Sequence, residues 1–357
     1  MRVPFVQLAP QNLALKSDLL EAFERVLASG RYLMGPEVER FEADLAAWHR
    51  GRGFHAVALA SGTDSCEVAI RACGWGEGQT VATPAFGAVP TINAIEAAGA
   101  TPVLVDVDPV TRGVSFETLA QVKTEGAIVV HMFGTPCDVP AGAIEDCAHA
   151  QGAETIGNDG VERMVGTLGA AAAYSFFPTK CLGAMGDGGA VVTKDPELAE
   201  RAKVIRHYGG LLGGDVDGRG QNSRLSELSA ALLAAKLPHL HDWNSRRSLL
   251  ADRYTSELKG RVRTPVYDWK RHAVHHVYVI EYDERDRLKA ALEARGVGCQ
   301  IHYPKPIHFY RRWRHLGAPG DFPVSEKLAA TVLSLPMYPE LSEADQDAVI
   351  AAVKEST

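Results

Sequence analysis

Apolar and polar positions repeat along this chain in two periods. Helical spacing runs through residues 19–28 and 36–48, the second opening on a proline with glutamate in its first turn, as helix starts prefer. From His55 the pattern becomes short apolar runs separated by helical stretches. Residues 56–60 predict a strand followed by a helix from about Thr63. Residues 80–83 predict one followed by a helix from about Gly87, and 102–106 one followed by a helix from about Phe116; 127–131 predict a fourth strand. This alternation implies a mostly parallel central sheet with right-handed crossovers, covered on both faces: a three-layer α/β/α fold. In such sheets ligands bind at the carboxyl ends of the strands.

Near Pro238 the pattern changes. Residues 225–237 and 243–258 read as helices with charges on one face, 274–281 as a strand, 286–295 as a helix and 297–302 as a strand. Residues 325–333 and 342–353 read as closing helices. The expected division is a large α/β domain over residues 1–240 and a smaller C-terminal α/β domain over 241–357.

Composition narrows the function classes. The 357 residues suffice for a substantial core, and 37 basic against 44 acidic residues leave a net charge of −7. That balance argues against nucleic acid or an anionic membrane as the main partner. No apolar run reaches the ~20 residues of a membrane span. The opening MRVPFVQLAPQ lacks the apolar core of an export signal, so a cytoplasmic protein is expected. Six scattered cysteines without a CxxC pair predict reduced thiols and no metal site.

The candidate chemistry centres on Lys180, in SFFPTKCLGAMGDGGAVVT. A phosphate-binding P-loop places its glycines before the lysine, and here they follow it; GAMGDGG also fails the dinucleotide pattern GxGxxG. By itself the stretch allows either a solvated lysine in a turn or a lysine that forms a Schiff base. The second reading needs partners for a pyridoxal phosphate. These are a carboxylate for the pyridine nitrogen, amide and hydroxyl donors for the phosphate, and a flat group over the ring. Asp146 ends a short apolar segment, Ser61, Gly62 and Thr63 join a strand to a helix, and Phe86 follows another strand end. Each has an ordinary alternative, as turn residue, helix cap or core.

Taken together, the chain resembles the DegT/DnrJ family of sugar aminotransferases, which have the aspartate-aminotransferase fold (type I). The resemblance rests on VPFVQL, SGRYLMGPEVERFE, ASGTDS, TPAFGAVPTINAI, PVLVDVDP, EDCAHAQGA, the Lys180 stretch, GQNSRLSELSAALLAAKLPHL, HHVYVI, IHYPKPIHFY and LSLPMYPELSE, in that order almost end to end. It implies that Lys180 bonds the cofactor and later shuttles a proton, and that Asp146 pairs with the pyridine nitrogen. His149 would lie near the phenolic oxygen, where many members carry glutamine. Phe86 would stack on the ring, and Gly62, Thr63 and Ser175 would hold the phosphate with Ser61 beside them. Asn222 would reach the phosphate of a neighbouring subunit's cofactor, so the active unit would be a homodimer. Tyr32 and Gly35 would border the substrate entrance, and Phe177 and His308 the sugar.

The implied reaction is a ping-pong transfer of an amino group from L-glutamate to a nucleotide-linked keto-deoxysugar, with dTDP as the expected carrier. A keto-cyclitol is the alternative acceptor. A sugar dehydratase on the same scaffold replaces the lysine by histidine, and a non-catalytic sugar-binding or regulatory relative would be expected to lose Lys180 or Asp146; both residues are present. Three departures stand out. Phe177 replaces a frequent tyrosine, Cys181 a common asparagine, and the segment before Asp146 is too short for the usual crossover helix.

Overall fold

The computed structural model describes residues 3–49, 53–157, 159–210, 218–266 and 268–357. The segment 209–220, whose glycine-rich sequence suits either a surface loop or a cover for a neighbouring active site, falls mostly outside them, at 211–217.

The strands of the main sheet are β1 (His55–Leu59), β2 (Thr80–Pro84), β3 (Thr101–Val105), β4 (Gly126–Val130) and β5 (Ile144–Asp146). After a hairpin of β6 (Glu154–Ile156) and β7 (Glu162–Met164) come β8 (Ala171–Ser175) and β9 (Gly189–Thr193). The seven-stranded order is β1-β9-β8-β5-β4-β2-β3, parallel except for β9, which runs against both neighbours. β8 and β9 are buried along their whole length and read as runs of small apolar residues, as strands covered on both faces do. Helices Gly62–Ala72, Val89–Ala97 and Pro196–Arg206 pack one face through Cys66, Ala69, Ile95 and Leu198. Helices Pro36–Trp48 and Glu227–Lys236 pack the other through Phe41, Leu45, Ala230 and Leu233.

The link from β4 to β5, residues 131–143, contains no α-helix. Its own Cys137 and Val139 fill that place, packed with Leu119 and Val122 against Ala82, Val105 and Val129. Behind it, fully buried Glu145 accepts the main-chain N–H groups of Gly166, Leu168 and Gly169 (2.8, 2.7 and 2.7 Å) and the ring of His131 at 3.0 Å. The carboxylate thus gives the loop before β8 the acceptors that buried amides require, and the short link still delivers β5 in register, Val130 opposite Asp146.

A second core lies around β11 (Tyr278–Glu281) and β12 (Val332–Leu335), which follow the two-residue β10 (Arg271–His272) that extends the β6–β7 hairpin. Leu250, Tyr254, Tyr278, Leu292, Leu333 and Val349 meet there. Two expectations are corrected. The strand expected at 297–302 makes only isolated bridges, Val297 to Val3 and Gln300 to Ser334. The helix expected to reach Leu333 ends at Thr331, because β12 takes the apolar run Val332–Leu335 as the partner of β11.

Candidate active site

The carboxyl ends of β1, β2, β4, β5 and β8 open on a cavity of about 410 Å³. Its lining includes Ser61, Gly62, Thr63, Asp146, His149, Ser175, Phe177 and Lys180, so most of the residues singled out in the sequence converge there.

Topology explains the convergence. β8 and β9 pair with Ser175 opposite Gly189, and the loop between them carries Lys180 back over the sheet's end. A side chain on Gly189 would place its Cβ 2.3 Å from the carbonyl oxygen of Ser61, so glycine is needed where the strand passes the β1 turn. Gln151, unremarked in the sequence, pins this loop on either side of Lys180. Its amide nitrogen donates to the carbonyl of Ser175 (2.6 Å) and its oxygen accepts from the N–H of Leu182 (2.7 Å).

Helix Gly62–Ala72 points its N-terminus into the cavity. The Ser61 hydroxyl caps it, accepting from the N–H of Asp64 at 3.1 Å. The N–H groups of Gly62 and Thr63 have no protein acceptor among the described residues. Two free amides, a helix dipole and the Ser175 hydroxyl form an anion seat. A Cβ on Gly62 would lie 2.5 Å from Cβ of Ser175, so the seat closes only around glycine.

Asp146 is 6 % exposed, and both its oxygens are oriented. Oδ1 accepts from the N–H of Ala148 (3.1 Å), and Oδ2 from the Thr91 hydroxyl (2.8 Å) and the Cys66 thiol (3.8 Å). Burial lowers the pKa of Lys180 to about 8, although Asp146 nearby opposes the shift. A lysine so tuned has a useful neutral fraction near neutral pH. His149 is held well below its ordinary pKa by burial and by the Lys180 charge. The N–H of Phe133 donates to its Nδ1 at 3.3 Å, so the neutral ring carries its proton on Nε2.

Other expected residues stand elsewhere. Phe86 does not line the cavity. It is fully buried among Val107, Val130, Met132 and Phe133, edge-on to Tyr303, and Ala88 holds the wall in its place. His308 is also buried, its Nε2 3.1 Å from Glu326, while Tyr303 and Tyr310 of the same segment reach the cavity. Cys181 packs in the core with Leu182 and Leu225, so it follows the lysine in sequence without facing the cavity. Tyr32 is exposed, and Gly35 is buried against Glu227. Asn222 is exposed outside the cavity, its amide oxygen accepting from Arg224 at 3.0 Å. Two groups of three possible metal ligands occur among the described residues: His131, Glu145 and Cys147, where the carboxylate already accepts from the His131 ring, and a partly exposed group at Glu154, Glu162 and His272. All six cysteines are unbonded.

Known proteins share this sequence pattern and fold. Residues 14–354 match the DegT/DnrJ/EryC1/StrS aminotransferase family. The chain belongs to this family. It is 42 % identical over 99 % of its length to the erythromycin biosynthesis sensory transduction protein EryC1 of Saccharopolyspora erythraea, of which 99 % is covered. It is 39 % identical, over 99 % of the chain and 96 % of the relative, to the dTDP-3-amino-3,4,6-trideoxy-alpha-D-glucose transaminase of Streptomyces venezuelae. The crystal structure of S. venezuelae DesV in complex with a ketimine intermediate superposes with a TM-score of 0.93 at 38 % identity, covering 99 % of this chain and 98 % of that one. The fold is therefore that of the pyridoxal-phosphate sugar aminotransferases, and the chain is an aminotransferase of the DegT/DnrJ family.

The cavity of this DegT/DnrJ protein fits the cofactor. The free amides and Ser175 suit its phosphate, the oriented Asp146 suits a protonated ring nitrogen, and Lys180 is neutral enough to attack an aldehyde. Sequence reasoning missed Gln151, Thr91, Cys66 and Phe133. Gln151 and Thr91 lie within quoted motifs, EDCAHAQGA and TPAFGAVPTINAI, yet their roles show only through contacts with segments distant in the chain.

Proposed function

We propose that this protein transfers the amino group of L-glutamate to a nucleotide-linked keto-deoxysugar, a dTDP-3-keto- or 4-keto-6-deoxyhexose, in two half-reactions. The observation that carries this reading is the common cavity of Lys180, Asp146 and the unpaired amides of Gly62 and Thr63. When bound, pyridoxal phosphate supplies an electron sink that makes the proton on the amine-bearing carbon removable. Lys180 would hold the cofactor and, once displaced by the incoming amine, would be the base that takes this proton and gives it up on the far side of the bridging nitrogen, a task its lowered pKa suits. Asp146 would keep the ring nitrogen protonated, the helix N-terminus and Ser175 would anchor the phosphate, and Nε2–H of His149 would donate to the phenolic oxygen. Phe177 and Tyr303 face the acceptor.

The same reading divides the chain near residue 240 into a cofactor-binding part and a smaller C-terminal part, and includes a homodimer. Leu20, Phe23, Leu27, Tyr32 and Leu33 form an apolar run exposed in the single chain, and Asn222 is exposed to meet a second copy. Tyr32 and Gly35 border the entrance in that assembly. The Streptomyces relative is named for an amine at C3, which favours 3-keto over 4-keto acceptors. The relative with a sensory name does not favour a regulatory role here, since Lys180 and Asp146 are both in place.

The test is amination assayed across dTDP- and UDP-linked 3-keto and 4-keto sugars, with a keto-inositol as comparison. Turnover of a keto-sugar nucleotide with L-glutamate supports the reading. Turnover of keto-inositol alone moves it to the cyclitol alternative, and full activity in Lys180→Ala refutes it.

A further inference from the structure

A planar cofactor gains affinity when an aromatic face covers it, and the residue expected to do this, Phe86, is turned into the core. The loop after β2 presents Ala88, Val89 and Pro90 to the cavity instead. Three aromatic side chains line it: Phe177, Tyr303 and Tyr310. Phe177 is 49 % exposed on the lysine's own loop. Tyr303 stands near Asp146 and is backed edge-on by Phe86 at 6.3 Å. Tyr310 alone is packed in the cluster that holds Val89, beside the alanine.

Tyr310 is firmly placed. Its ring meets Trp313 edge-on at 6.1 Å, and Trp313 is 5 % exposed. The Trp313 indole donates to Glu96 (3.1 Å), and Arg312 holds the other oxygen of that carboxylate (2.9 Å). The N–H of Ile307 donates to the carbonyl of Ala85 at 2.8 Å. The C-terminal segment is thereby clamped on helix Val89–Ala97 and on the turn leading to Ala88. The Tyr310 hydroxyl has no protein partner among the described residues.

We propose that Tyr310, delivered by the C-terminal segment, is the aromatic cover of the cofactor site, in the space that Ala88 leaves open. This positioning role rests on the cofactor reading above. It couples cofactor binding to the docking of residues 306–316 on helix Val89–Ala97.

The test is a double-substitution cycle read by binding of pyridoxamine phosphate, which forms no bond to Lys180, to the cofactor-stripped protein, followed by tryptophan fluorescence. Tyr310→Leu keeps the apolar volume but loses the flat face, and is expected to weaken binding about three- to ten-fold, the worth of one aromatic contact. Tyr310→Phe is expected to bind as the parent does. Ala88→Phe is expected to weaken binding in the parent, where it crowds Tyr310, and to restore it in Tyr310→Leu. Binding by Tyr310→Leu within two-fold of the parent overturns the inference, as does an Ala88→Phe effect of the same size and sign in both backgrounds. No binding by the parent protein overturns the cofactor reading and this inference with it.

Discussion

Phe133 donates its main-chain N–H to Nδ1 of His149 at 3.3 Å, from a left-handed backbone conformation with φ of 62°. A bulky residue adopts that conformation only where its surroundings compel it, at a cost of about 1–3 kcal/mol. Here the strain fixes a tautomer. With Nδ1 accepting, the neutral ring is left with Nε2–H as its one donor.

On the proposed function, a donor at this position rather than an imidazole as such is what the cofactor's phenolic oxygen calls for. His149→Gln is therefore expected to retain most of kcat/KM, since its amide also donates. His149→Leu is expected to lose about 100–1,000-fold, the effect of removing one well-placed donor. Steady-state kinetics of the two variants checks this, and equal losses in both would show that the histidine acts in another way.

Buried neutral histidines also govern behaviour in acid. Burial and nearby positive charge lower the pKa of His149 and His276 well below the usual value, and those of His275 and His302 to about 4. Unfolded, each takes a proton near pH 6.5. Between that pH and about 4 the unfolded chain binds more protons than the folded one, so stability falls as pH drops and is level in this respect above 6.5. The slope is about 1.4 kcal/mol per pH unit for each such histidine. Urea midpoints of the cofactor-free protein are expected to drop clearly from pH 7.5 to 5.5, and to drop less in His276→Leu.

Gly62 carries a third prediction. Its missing side chain lets the helix N-terminus approach Ser175, where a Cβ would be 2.5 Å from Cβ and 2.7 Å from Oγ. Gly62→Ala is expected to push the two apart and weaken cofactor binding at least ten-fold while leaving far-UV circular dichroism unchanged. Equilibrium binding of pyridoxal phosphate measures it, and parent-like affinity would remove the seat from the helix N-terminus.

These contacts mark where sequence reasoning reaches and where it stops. Lys180, Asp146 and the turn at Ser61–Thr63 could be singled out because they lie at or near the ends of apolar runs, but the residues alone left each an ordinary alternative and only the resemblance tied them to one site. Periodicity also located β1 to β4, and the shortness of the link before Asp146 against the family pattern disclosed the missing helix between β4 and β5, whereas β8 and the antiparallel β9 were not predicted as strands. Phe86 was misplaced because a strand-end loop does not announce which of its residues turns inward. Here Ala88 faces the cavity and Phe86 the core. His308 was misplaced similarly, as Glu326, eighteen residues on, draws its ring away. Gln151 and Glu227 were invisible because a buried polar side chain shows its purpose only through main-chain partners from other segments.

Glu227 carries the last prediction. It is 1 % exposed, and its carboxylate accepts the N–H groups of Gly35 (2.8 Å), Glu37 (2.9 Å) and Val38 (3.2 Å). These are orphan donors at the start of helix Pro36–Trp48, which has no side-chain cap of its own. Glu227→Ala leaves them buried without an acceptor and is expected to cost about 3 kcal/mol or more. Gly35 belongs to the same device, because a Cβ there would lie 2.8 Å from Oε2 of Glu227. Gly35→Ala is thus expected to lower the urea midpoint strongly in the parent and much less once Glu227 is alanine. A glycine that served only to border the substrate would behave differently: KM would rise while the urea midpoint stayed fixed. Measuring both quantities in the two single variants and the double variant separates the helix-capping role from the entrance role.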